Sequence, residues 1–132
     1  MSFCTVVNCM DGRVQIPVIR YLRERVGVSH VDVITEAGPV AVLVGGDDGP
    51  EVRSIRRRVD LSREAHGSTA LAIVAHPDCA GNPVPDEEQM EQLVRAARNL
   101  AIWYPGDEII ALWVDRDGEV HETAGAGPRR VP

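Results

Sequence analysis

The sequence predicts a single α/β domain, a mostly parallel sheet flanked by helices with an antiparallel strand at one edge. Three observations predict it. Apolar runs of strand length alternate with segments of helical periodicity from Phe3 to Val114. The run Ala70-Leu71-Ala72-Ile73-Val74-Ala75 is apolar at every position, as a central strand covered on both faces requires. Polar turns containing proline or glycine follow several of the strand-like runs, where a parallel sheet needs loops. With 132 residues the chain can bury one core but not two, so residues 1–123 are expected to form one domain and 124–132 a flexible tail.

Phe3 to Asn8 reads as a short buried strand. Ile16 to Val26 reads as a helix, with Pro17 in its first turn, Gly27 as its stop and an apolar stripe at Ile19, Leu22 and Val26. His30 to Thr35 is the next strand, turned by Glu36-Ala37-Gly38-Pro39. Gly45 to Pro50 has the composition of a loop, and Glu51 to His66 is a helix with Val52, Ile55 and Val59 inward and Gly67 at its end. Its Arg56-Arg57-Arg58 run points in several directions and reads as a solvated face. After the central strand, Pro85 followed by Asp86, Glu87 and Glu88 marks a helix start, because acidic side chains favour the positive end of the dipole. Met90, Leu93, Val94, Ala97, Leu100 and Ala101 make its expected inner stripe, and Tyr104-Pro105-Gly106-Asp107 ends it. Glu108 to Val114 is the fourth strand, Asp115 to Gly118 a turn, and Glu119 to Thr123 a short antiparallel return.

Composition removes several functions. A net charge of −6 argues against nonspecific nucleic-acid binding, which needs surplus basic side chains. All 14 basic residues are arginine, so lysine Schiff-base chemistry and a P-loop are excluded. No run approaches the roughly 20 apolar residues that cross a bilayer, and no secretory signal opens the chain, so a cytoplasmic location is expected. Three cysteines cannot pair completely within one chain, and reduced thiols fit that location. Cys4, inside the first apolar run, reads as a small core hydrophobe.

The remaining two cysteines carry the chemistry. Cys9 follows the first strand, and His76-Pro77-Asp78-Cys79 follows the third. Parallel strands converge at their C-terminal edge, so Cys9, His76 and Cys79 are expected to meet there. Two thiolates and an imidazole suit Zn²⁺, and three protein ligands leave one position open, the mark of a catalytic site. Asp11 and Arg13 alternate with Cys9, so an extended loop is expected to project all three to one side. The guanidinium would keep Asp11 ionised and oriented as a gate for the metal.

These residues resemble the β-class carbonic anhydrases, whose pattern is Cys-X-Asp-X-Arg followed much later by His-X-X-Cys. Here it reads Cys9-Met10-Asp11-Gly12-Arg13 and His76-Pro77-Asp78-Cys79. Glu36-Ala37-Gly38-Pro39 is similar to that family's Ala-Gly loop, and Ile109 to Val120 to its closing strand and turn, so the resemblance spans nearly the whole chain. It implies zinc-dependent hydration of carbon dioxide to bicarbonate by metal-bound hydroxide, and a homodimer or larger assembly. His30, His66 and His121 are the candidate proton shuttles. Four features depart from the pattern: Pro39 replaces the usual asparagine, Gly12 a frequent hydroxyl residue, the glycine-rich loop near 45–50 is extra, and the family's helical arm is not expected ahead of the first strand. Three other readings remain open on the residues: a zinc-binding sensor or interaction domain closed by Asp11, hydrolysis of carbon disulfide or carbonyl sulfide, and a dithiol redox function of Cys9 and Cys79 in a metal-free state, which would leave His76 and the Asp11–Arg13 pair without a role.

Overall fold

A computed structural model describes residues 1–123; the expected flexible tail at 124–132 lies outside the described residues. Among these residues one sheet carries five strands: β1 (Phe3–Cys9), β2 (His30–Glu36), β3 (Ala70–Ala75), β4 (Glu108–Val114) and β5 (Val120–Glu122). Their spatial order is β2-β1-β3-β4-β5, with β2, β1, β3 and β4 parallel and β5 antiparallel to β4. The helices are α1 (Gln15–Leu22), α2 (Pro39–Leu43), α3 (Pro50–His66) and α4 (Asp86–Trp103).

β3 sits in the middle because nothing on it needs water. Leu71, Ile73 and Ala75 join one core with Ile55, Val59, Leu93 and Leu100 of α3 and α4, while Ala70, Ala72 and Val74 join the other with Val14, Val18 and Leu22. α1 therefore covers one face, and α2, α3 and α4 the other. This split follows from right-handed crossovers leading first to one side of β1 and then to the other. No helix among the described residues is long and apolar enough to cross a membrane.

Three local departures from the sequence reading have physical causes. A 3₁₀ turn over Gly12–Val14 precedes α1 and a wider π turn over Arg23–Gly27 ends it, so the buried stripe is Val14, Val18 and Leu22 rather than Ile19, Leu22 and Val26. Residues 39–43 form the short α2, with Pro39, Val40 and Leu43 buried, where only a turn was expected at Pro39. In α4 Met90, expected on the inner stripe, is exposed, and Gln89 beside it is buried in its place. The arginine run is partly engaged: Arg58 pairs with Glu36 at 2.6 Å and Arg56 lies over Trp103 at 4.7 Å, while Arg57 is exposed.

Candidate metal centre

The strand order reverses between β1 and β3, because the chain first adds β2 on one side of β1 and then β3 on the other. A crevice opens outside the carboxyl ends of the strands at such a switch point. Val7 is level with Ile73 across the β1–β3 pair, so Cys9 and His76 reach the same edge together. One ligand atom from each of Cys9, His76 and Cys79 lies within 4.8 Å of the other two. The two sulfurs are 3.8 Å apart, and all three residues are buried. Among the described residues this is the one group of such side chains that could hold a metal ion.

The donor atoms fit a cation. His76 Nδ1 lies 2.8 Å from the carbonyl of Pro77, which can only accept, so Nδ1 carries the proton. Its Nε2 is buried and has no hydrogen-bond partner. A lone pair in that position normally costs stability unless something occupies it. Burial pushes the Cys9 thiol up, but the His76 ring and the backbone amides of Gly38 and Asp11 outweigh it and hold it at about 7. In turn the Cys9 sulfur raises His76, against burial. The two side chains thus stabilise each other's charge, a role a divalent cation would take over. Cys79 moves the opposite way, raised by burial and by the charge of Cys9.

Asp11 is turned away from the cluster towards Arg13. The Arg13 guanidinium donates from Nη2 to Asp11 Oδ2 at 2.7 Å and from Nε to Oδ1 at 3.0 Å, and its backbone N–H adds a bond to Oδ1 at 2.8 Å. That last bond makes Asp11 the cap of the 3₁₀ turn, so the segment is coiled rather than extended, and the pair meets through the turn. Arg13 lowers the Asp11 carboxyl to about 2. The same guanidinium reaches Asp78, at its carbonyl oxygen (3.1 Å) and at Oδ2 (3.3 Å), and so ties the Cys9 loop to the Cys79 loop.

Four supports were invisible in the sequence pattern. Gln89, buried on α4, accepts from His76 N at 3.2 Å and donates to His76 O at 2.7 Å, replacing the strand ladder beyond the end of β3. Gln15 donates to the carbonyls of Cys9 (2.7 Å) and Asp11 (2.9 Å). Buried Asn8 donates to Val14 O at 3.1 Å. Gly81 lies against Ala37, where an added Cβ would come within 2.6 Å of the Ala37 carbonyl carbon, so the loops after β2 and β3 pack backbone to backbone. We expect Gln89→Leu, similar in size, to leave two buried backbone groups unpaired and to cost ~2 kcal/mol, read as a lowered urea midpoint. An unchanged midpoint would mean that water replaces the amide.

A cleft of about 920 Å³ leads to the cluster, lined by Arg13, His76, Cys79, Asp86 and the β4–β5 turn at 115–118. Of the three candidate shuttles, His121 alone lies on this side, with Nε2 2.7 Å from Asp115 of that turn. His30 and His66 both pack against Phe3 at the start of β1. Six residues of strand put them ~20 Å from Cys9. Cys4 is buried, its thiol raised to about 11 by burial, as a core hydrophobe should be.

The fold and the Cys-His-Cys group together define a protein of the β-carbonic anhydrase class of architecture. A family model described as "Putative carbonic anhydrase" matches residues 1–124, and the chain belongs to that family. Among solved structures it is similar to β-carbonic anhydrase isoform I of the protozoan Trichomonas vaginalis, at 17% identity and a TM-score of 0.58, covering 92% of this chain and 82% of that one. It is also similar to one of two tetrameric β-carbonic anhydrases of the filamentous ascomycete Sordaria macrospora, at 11% identity and a TM-score of 0.60, covering 93% and 82%. A third likeness, to the β-carbonic anhydrase CafA of the fungal pathogen Aspergillus fumigatus, has 15% identity and a TM-score of 0.52, covering 94% and 76%. No curated protein matches the chain.

Proposed function

We propose that this protein is a zinc enzyme that interconverts carbon dioxide and bicarbonate, with Cys9, His76 and Cys79 as the metal ligands. The observation that carries the reading is the buried, unpartnered His76 Nε2 set beside two thiols while the nearby Asp11 carboxylate is held elsewhere by Arg13. Three donors and a withheld fourth are what an open coordination position requires. Bound there, zinc supplies the Lewis acidity that activates water towards a neutral electrophile. The chain's own part is positional. Arg13 keeps Asp11 ionised as a fixed acceptor at the edge of the site, and Gln89 holds the His76 backbone in place. His121, hydrogen-bonded to Asp115 at the cleft wall, stands where a proton can pass to solvent.

Stopped-flow hydration of carbon dioxide on metal-verified protein tests the reading. We expect activity that depends on zinc, and a fully zinc-loaded protein with no hydration above the buffer blank would refute it. Carbonyl sulfide offered in the same assay separates a broader heterocumulene hydrolase from a dedicated hydratase.

Metal uptake itself should depend on pH. Zinc binds thiolates and must displace any proton they carry. Cys9 is held at about 7, below its ordinary value, and so is free to bind above that pH, while Cys79 is raised and still protonated there. Apparent affinity should therefore climb by ~10-fold or more between about pH 6 and about pH 8. Competition against a chromophoric chelator measures it, and a flat profile would contradict the ligand set.

The same reading includes a homodimer or larger assembly working in the reducing cytoplasm. Tetrameric enzymes among the similar structures support it, as do Met10 and Ile16, exposed beside the Cys9 loop. Sedimentation equilibrium at micromolar concentration decides it. A fully active monomer would show that one chain completes the site.

A further inference from the structure

Two reduced, buried cysteines with sulfurs 3.8 Å apart form a chemical unit whether or not a metal lies between them. Closing that gap to a bond of ~2.05 Å asks each sulfur to move by about 0.9 Å. Cys79 is buried but lines the cleft, and Cys9 lies beside it at the end of β1. The third cysteine cannot interfere, because Cys4 is buried five strand residues, roughly 16 Å, from Cys9.

We propose that Cys9 and Cys79 form a reversible intramolecular disulfide when no metal is held, so that a peroxide oxidant and zinc compete for the same sulfurs. The competition with zinc rests on the ligand assignment above, while the disulfide itself needs only the two thiols. Cys79 meets the peroxide first because it is the one of the two that lines the cleft: its thiol gives up its proton as the sulfur attacks one oxygen of hydrogen peroxide, the O–O bond breaks, and a sulfenic acid forms with that proton leaving in a first water. Cys9 sulfur then attacks Cys79 sulfur, the S–O bond breaks, and the hydroxyl departs with the Cys9 proton as a second water. Two electrons pass from the sulfurs to the peroxide. The product has neither thiolate to offer a metal, so the protein becomes one that cannot be loaded until a dithiol reduces it.

The test uses the wild-type chain, stripped of metal, treated with one equivalent of hydrogen peroxide, then denatured for thiol titration and peptide mapping. We expect the titratable thiols to fall from three to one, the map to join the Cys9 and Cys79 peptides within one chain, and dithiothreitol to restore all three. Three surviving thiols, a link that includes Cys4, or links between chains would each overturn the proposal. In Cys9→Ser the Cys79 sulfenic acid should persist and be trapped by dimedone, whereas no adduct there would sink the assigned order of attack. A parallel sample saturated with zinc should keep all three thiols. Loss of thiols in that sample despite a clean Cys9–Cys79 link in the stripped one would refute the zinc assignment and leave the disulfide standing.

Discussion

The Cys79→Ala protein is expected to lose its zinc. Metal-binding free energy at thiolate–imidazole sites is on the order of 10 kcal/mol, and removing one of three protein ligands takes about a third of it, a hundredfold or greater loss of affinity. Elemental analysis after dialysis against a chelator should fall from near one zinc per chain to near none. Cys79 sits on a loop fixed by Arg13 and by the close packing of Gly81 on Ala37, so its truncation leaves the two strands in place. The Cys4→Ser protein is the control, since that buried thiol takes no part in the cluster and its change should leave the metal untouched. Full zinc occupancy in Cys79→Ala would remove the central claim.

Arg13→Ala should keep zinc and lose most of its activity. The guanidinium makes a two-point contact with Asp11 and reaches the Asp78 loop, and neither role touches the three donors. Without it the carboxylate is free to swing towards the open coordination position, and a preorganised acceptor is lost. Together these should lower hydration by about a hundredfold, the scale of removing one fixed polar group from an active site. The change has a signature apart from activity. Asp11 is depressed to about 2 in the folded chain, so its contribution to stability is present above the unfolded value and fades as pH falls towards 2. Arg13→Ala should forfeit that contribution and unfold at a higher pH on acid titration. Arg13→Lys keeps a charge without the fork and should fall between the two. Unchanged kinetics in Arg13→Ala, with an active wild type, would assign the pair a structural role alone.

The expected fold class agrees with the structure for reasons visible in single residues. A run such as Ala70 to Ala75 has no polar side chain to expose, so it can only be central. Acidic residues after Pro85 start α4 where expected. The convergence of Cys9 with His76 and Cys79 was equally legible, because parallel strands must deliver their C-terminal residues to one edge. The supports were not. A buried glutamine among Asp86, Glu87 and Glu88 reads as solvated helix surface, and only the end of β3, with its unpaired His76 backbone, gives Gln89 something to bind.

What the sequence alone determined, then, is the sheet, its central strand and the meeting of Cys9, His76 and Cys79, since each depends on side-chain chemistry and on periodicities that a chain carries in one dimension. Tertiary structure decided the rest: the coiled Asp11–Arg13 pairing, the Gln89 bracket, the place of His121 near the cleft and of His30 and His66 at the far end of β1, and the 3.8 Å between sulfurs. Those are distances between segments far apart in the chain, and a distance of that kind exists only once the core around β3 has drawn the segments together.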